Sequence, residues 1–147
     1  PRQMSKQMID MIALPLQDSL VRIFLSLLAG LLIGFTRKNY PAGLRTFTLI
    51  CIGSTIFTII SIDPSLTGTP NVDPTRVIAQ IVTGIGFIGA GVIWKSNVKV
   101  GGLTTAAAIW TTAAIGILIG MGEYIIAGFS LLIVIAVLFS KNVFKDL

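Results

Sequence analysis

The sequence predicts an all-α integral membrane protein, a bundle of about five transmembrane helices with small-residue packing seams. Three observations carry that expectation. Hydrophobic residues make up 54% of the 147-residue chain and charged residues only 12%, about half the usual charged share. The charges are clustered, leaving charge-free runs between Arg22 and Arg37, Arg45 and Asp63, Arg76 and Lys95, Lys99 and Glu123, and Glu123 and Lys141. Each run is close to the ~17–25 residues that cross a bilayer as a helix. Small residues also recur every fourth position in several runs, the spacing that lets helices approach backbone to backbone. The spans are expected at about 19–35, 44–62, 75–94, 103–121 and 124–140. They form one transmembrane domain over 18–141, preceded by an interfacial segment (1–17) and followed by a short cytoplasmic tail (142–147).

Before the first span, Met4, Met8, Met11 and Ile12 share a helical face, with Lys6, Gln7 and Asp10 away from it. That pattern suits a short helix lying on the membrane or a frayed extension, with Pro15 separating it from the span. The first apolar run is too long for a signal-peptide core and is followed by the charged stretch FTRKNY rather than a cleavage site.

Within the first span, Arg22, Ser26, Gly30 and Gly34 lie at successive i+4 positions. Arg22 is shallow and can pair with Asp18 one turn earlier. It is either an arginine snorkelling to the interface or a cation aimed into the bundle. Pro41, Ala42 and Gly43 make a tight connector to the second span. This puts Arg45 in a first helical turn, where the helix dipole disfavours a cation. A lipid phosphate, an acidic partner or a paired carboxylate elsewhere would offset it. Cys51, the single cysteine, is a packing residue and excludes an intramolecular disulfide. At the start of the third span Asp73 is placed to cap, Pro74 suits the first helical position, and Arg76 follows within a turn.

The third span contains GIGFIGAGV, Gly84 to Val92, whose first six residues match the spacing of a dinucleotide-binding loop. That reading fails. The upstream segment begins with a helix cap and carries polar Gln80, and no acid appears downstream until Glu123. On a helical wheel Gly84 and Gly91 share one face, with Gly86, Gly89 and Ala90 roughly opposite. The helix either packs tightly between two neighbours, the commoner case, or unwinds there to line a cavity.

In the fourth span Thr104, Ala108, Thr112, Gly116 and Gly120 run at unbroken i+4 spacing, and Trp110 is expected as an anchor deep in the bundle. Thr104, Thr105, Thr111 and Thr112 can bond back to their own helix or across to another, the former being commoner. GMGEY makes a tight turn into the last span, whose bulk and uniformity suit lipid exposure.

The net charge of +5 reflects topology rather than nucleic-acid binding. Arg37, Lys38, Arg45, Lys95, Lys99, Lys141 and Lys145 fall on one side of the membrane. Arg2, Lys6, Arg22 and Arg76 fall on the other, mixed with acids. The positive-inside rule then places the N-terminus outside and the C-terminus in the cytoplasm. With no His, no acid within a span and Cys51 unpartnered, no nucleophile–base set is present, and no enzyme is expected.

Arg22 with AGLLIGFTR, then PAGLRT, DPTRVIAQIVTGIGFIGAGVI and GLTTAAAIWTTAAIGILIGMG, in that order over about residues 19–122, resemble the MgtC/SapB family of bacterial membrane proteins. The resemblance implies the family's membrane domain, without the cytoplasmic C-terminal domain many members carry, in the bacterial plasma membrane. Family members are commonly labelled candidate magnesium transporters. They are also associated with growth in low magnesium, survival inside host cells and inhibition of the F-type ATP synthase. Three departures stand out. Thr36-Arg37 replaces the usual Glu-Arg, Phe47 stands where many members have His or Asn, and Gly101 occupies a place that is usually basic.

Two functions are therefore expected to compete. One is regulation of another membrane complex, such as the F-type ATP synthase, in magnesium homeostasis or stress adaptation. The other is direct transport of Mg²⁺ or another ion. Mg²⁺ usually demands one or two carboxylates, and none lies within a span, which favours regulation. No cofactor is expected, with Mg²⁺ a possible ligand or substrate and its ligands unknown. The seams suit a homodimer as well as an intramolecular bundle, and a dimer is expected. The candidate polar residues are Arg22, Arg45, Asp73, Arg76 and Gln80. The packing or cavity-lining candidates are Gly84, Gly86, Gly89, Gly91, Thr104, Thr105, Trp110, Thr112 and Gly116.

Overall fold

A computed structural model describes residues 2–40, 42–63, 73, 75–97 and 99–140, with side chains from residue 16 onward. These residues form five α-helices: α1 (Arg2–Thr36), α2 (Leu44–Ile62), α3 (Thr75–Gly91), α4 (Leu103–Met121) and α5 (Tyr124–Ser140). Between α3 and α4 stands a two-stranded antiparallel hairpin, β1 (Trp94–Lys95) and β2 (Val100–Gly101), with Trp94 opposite Gly101. By length and composition Leu16–Thr36, Leu44–Ile62 and Leu103–Met121 suffice to cross a membrane, while α3 and α5 are shorter apolar helices. At 17 residues each, these two are about 26 Å long, slightly less than a hydrocarbon core.

The centre of the bundle is α2, gripped on two sides by glycine stripes. A Cβ added to Gly30 of α1 would stand 2.6 Å from Thr48 Cα, and one on Gly34 would stand 2.7 Å from Leu44 Cα. From α4, a Cβ on Gly116 would meet the Cys51 carbonyl oxygen at 2.5 Å, and one on Gly120 would meet Thr58 Cβ at 2.6 Å. Only glycine permits these approaches. Thr55 Oγ1 donates to the Gly116 carbonyl at 2.8 Å, tying the two helices at the closest point. Phe47, Ile33 and Ile109 fill the space between the stripes and are fully buried, as are Cys51, Ser26, Thr55 and Thr112. The seams expected in the first and fourth spans are thus spent within the chain.

The two remaining helices are peripheral. In α3 only Ile85 and Gly89 are buried, and in α5 only Ala127. Ile125 is 89% exposed, and Phe129 and Leu132 are exposed as well, the lipid-facing character expected of the last span. The turn between α4 and α5 closes α4 with Gly122 at φ +84°. The Gly122 amide donates to the Ile119 carbonyl and the Glu123 amide to the Leu118 carbonyl, the pair of hydrogen bonds that ends many helices at a left-handed glycine.

Three expectations need correction. α1 is continuous through position 15, so no break separates the N-terminal segment from the first span. A proline removes one backbone hydrogen bond, which a long membrane helix tolerates. The third helix stops at Gly91, not at 94. There the Val92 and Ile93 amides turn back to Gly89 and Ala90, and the chain enters the hairpin, latched by the Ser96 amide to the Lys99 carbonyl at 2.9 Å. Trp110, expected deep inside, is 52% exposed. The buried face of α4 follows Thr105, Ala108, Ile109, Thr112, Ala113 and Gly116, and position 110 is rotated 100° beyond Ile109, off that face. Pro41, residues 64–72, Pro74, and the tail with Lys141 and Lys145 lie outside the described residues.

Candidate functional site

The described charged side chains gather at the two ends of the bundle. At one end, Arg22 Nη1 donates to the Gly120 carbonyl at 2.5 Å, and Nη2 pairs with Asp18 one turn earlier on α1. Tyr124 Oη reaches the same carboxylate at 3.3 Å. Arg22 thus caps the carbonyl end of α4, where the helix dipole favours a cation. Its side chain is only 18% exposed, so of the two readings the bundle-directed one describes its place.

Asp73, just before α3, makes an arrangement of its own. Its Oδ1 accepts from the Thr75 amide at 3.0 Å and from the Thr75 hydroxyl at 2.7 Å, the expected capping arrangement. These two hydrogen bonds hold its carboxyl below the usual carboxylate range. Arg76 Nε lies 4.0 Å from Asp73 Oδ2 and is otherwise in the open. Arg22 and Arg76 therefore occupy separate pairs, each with its own acid.

The opposite end is built around a residue the sequence analysis did not single out. Arg37 follows α1 and is 3% exposed. Its Nη2 donates to Thr105 Oγ1 in the first turn of α4, and its guanidinium lies 3.6 Å from the centroid of the Tyr40 ring. Its Nε is buried and has no partner. Among the described residues no carboxylate lies within ion-pairing distance. Burial lowers the Arg37 pKa from the ordinary arginine value, with Tyr40 opposing, yet a guanidinium keeps its proton in proteins.

Arg37 and Tyr40 form one wall of a cavity of about 490 Å³; Trp94, Gly101, Gly102, Thr104 and Thr105 form the other. Gly102 caps α4 with φ +86° and offers no side-chain hydrogen bond. A Cβ there would stand 2.0 Å from the Val92 carbonyl. A Cβ on Gly101 would strike the Trp94 indole at 2.3 Å, so the indole occupies the place where a longer residue would sit. Lys38, Arg45, Lys95 and Lys99 lie at this end too, whereas Asp18, Asp63, Asp73 and Glu123 all lie at the other. Arg45 is exposed in the first turn of α2, which contains no acid.

The glycine-rich helix takes neither expected form. α3 is unbroken from Thr75 to Gly91, and of its four glycines only Gly89 packs, against Ala106 at 3.7 Å. Gly84, Gly86 and Gly91 have no atom within 4 Å of an added Cβ. The reason lies in the neighbours, because α2 has already given its close-packing faces to α1 and α4. What remains between α2 and α3 is an open apolar groove of about 530 Å³ with Gly53, Phe57, Gln80, Gly84 and Ile88 among its walls. Thr112 and Thr111 bond back to their own helix at 2.7 and 3.1 Å. Thr105, which receives Arg37, is the threonine of α4 that reaches across.

The MgtC family model matches residues 23–147. The chain is 46% identical over 113 residues to the protein named "Putative magnesium transporter YhiD" of Escherichia coli K12, covering 73% of this chain and 53% of that one. It is 47% identical over 112 residues to Protein MgtC of Brucella abortus, covering 75% and 45%. To Protein SapB of Bacillus subtilis it is 42% identical over 125 residues, covering 80% and 54%. The chain thus spans about half the length of these curated relatives. No solved structure matches.

Proposed function

The chain belongs to the MgtC family, and on that premise we propose that it is a regulatory membrane protein, docking another membrane component into the α2–α3 groove in magnesium homeostasis or stress adaptation. The observation that carries this reading is the groove itself. Glycines stand bare on both walls, at Gly53 and Gly84, where a membrane helix normally meets a neighbour. Bare glycine facing lipid gains nothing in packing, whereas a partner helix brought against it can approach closely.

The name of the Escherichia coli relative favours a second reading, direct Mg²⁺ transport. The donor chemistry supports it less. Among the described residues no group of three or more His, Cys, Asp or Glu could hold a metal, and Mg²⁺ sites usually use one or two carboxylates.

Cysteine crosslinking of the full chain in native membranes separates the two. A thiol introduced by Gly84→Cys should join one identifiable second membrane protein reproducibly. Ile125→Cys, at an equally lipid-exposed position on α5, should not. Cys51 is fully buried and does not compete. Gly84→Leu, which fills the groove, should abolish association while leaving the fold intact. Capture of a second copy alone would replace regulation by simple dimerisation, and Mg²⁺ flux into liposomes carrying the purified chain would favour transport.

A further inference from the structure

The family relationship and the groove leave the Arg37 cavity without a role. We propose that it binds a phosphate-class oxyanion, presented either by an anionic phospholipid headgroup or as free phosphate. Arg37 is nearly wholly buried, its Nε is unpartnered, and no carboxylate among the described residues answers it. A buried cation left this way is costly unless something neutralises it.

The opposite wall supplies the matching half of a site. It is the N-terminus of α4, a 19-residue helix whose cap Gly102 provides no side-chain acceptor for the first amides. Leu103, Thr104 and Thr105 of that first turn line the same cavity as Arg37. A helix N-terminus with hydroxyls and a guanidinium fork is the donor set that phosphate oxygens take. Lys95 and Lys99 on the hairpin, with Lys38 and Arg45, make this end of the bundle wholly basic among the described residues, which draws anions toward it. The cavity, about 490 Å³, is ample for a phosphate and for the glycerol that a lipid headgroup would bring.

Trp94 lines the cavity, so it serves as the reporter. Replacing the outward-facing Trp110 by Phe leaves Trp94 as the sole tryptophan of the two in the chain. In one arm the full chain sits in phosphatidylcholine nanodiscs and inorganic phosphate is titrated at constant ionic strength. In the other, phosphate is absent and the discs contain increasing phosphatidylglycerol. A saturable change in Trp94 fluorescence is expected in at least one arm, and which arm responds identifies the source. Arg37→Gln should weaken it at least about tenfold, the scale of one charged hydrogen bond. Thr104→Val, at an exposed position that folding does not need, should weaken it less. Arg45→Gln, at the same end but outside the cavity, should weaken it far less than Arg37→Gln does.

Silence in both arms overturns the proposal, as does an equal response to acetate. An equal loss with Arg45→Gln would reduce the effect to diffuse surface charge and overturn it as well. If Arg37→Gln does not fold, Arg37→Lys, which keeps the charge and removes the planar fork, takes its place with the same expected direction.

Discussion

Alanine at two glycines should have opposite effects on stability. At Gly116, the new methyl would stand 2.5 Å from the Cys51 carbonyl oxygen and 2.9 Å from Ser54 Cβ. Ordinary contact begins near 3.4 Å, so α2 would have to retreat by about 0.9 Å (3.4 − 2.5). It has nowhere to go, because its other side already rests on Gly30, where an added Cβ would stand 2.6 Å from Thr48. Overpacking of this kind costs ~1–3 kcal/mol, and the clamped geometry argues for the upper half. The strain would also stretch the hydrogen bond from Thr55 to Gly116, worth ~0.6 kcal/mol in membranes. Against this stands the better helix propensity of Ala, ~0.5–1 kcal/mol. The net expectation is a loss of about 2 kcal/mol for Gly116→Ala. At Gly84 there is nothing to strike, and Gly84→Ala should be neutral or stabilising by up to ~1 kcal/mol. The gap of ~2–3 kcal/mol is a shift of roughly 30- to 150-fold in the unfolding equilibrium. Steric trapping or SDS titration in mixed micelles resolves that difference. If both variants move the midpoint the same way and by the same amount, the close α2–α4 approach described here is wrong.

Other consequences can be measured in the same way. Arg22→Gln should lower stability by about 1–3 kcal/mol, since it uncaps α4 at Gly120 and strands Asp18; Asp18→Asn, whose carboxylate is half exposed, should cost visibly less in the same denaturation assay. Gly122→Ala should cost about 1–2 kcal/mol, because an L-residue is strained at its positive φ; a loss no larger than that of Gly84→Ala would refute it. The Asp73 cap has a defined pH signature. Its carboxyl is held low by Thr75, so the contribution is present above the ordinary aspartate pKa and is lost as pH falls through the depressed value. Protection of the first-turn amides of α3, taken relative to the intrinsic exchange rate at each pH, should accordingly fall on acidification for the parent chain and show no such acid step in Asp73→Ala.

Much of the bundle can be read from residue spacing. Apart from the start of α1, which lies at Arg2 rather than near 19, charge-free runs marked the helix ends to within about three residues, because desolvating a charge in lipid is costly enough to leave a plain trace. The glycine stripes of α1 and α4 were legible for the same reason, since their period is a helix period. GIGFIGAGV was ambiguous because a glycine reads alike whether it meets a neighbour or faces open space. That difference belongs to α2, whose two packing faces are already occupied. Arg37 was hidden by its company in FTRKNY, where every cation looks like a topology marker. A signal was present, however. Ser26, Gly30, Gly34 and Arg37 continue one stripe at spacings of four, four and three, so position 37 lies on the buried face of α1. The hairpin could not be seen, since two residues per strand leave no periodicity.

Because synthesis runs from the N-terminus, the two partners that clamp α2 become available at different times. Its first glycine-lined partner, α1, precedes it directly, so the α1–α2 pair can form while the rest of the chain is still unmade. Its second partner, α4, is separated from it by all of α3 and the hairpin. During that interval Ser54 and Thr58 lie bare along a membrane helix whose proper cover has not yet been translated, and α3 is the segment at hand. In the finished bundle α3 buries only Ile85 and Gly89, so its grip on α2 is slight. A helix that packs weakly is what this gap in time requires, because it can yield the position to α4 on arrival and settle at the margin where the finished protein has it.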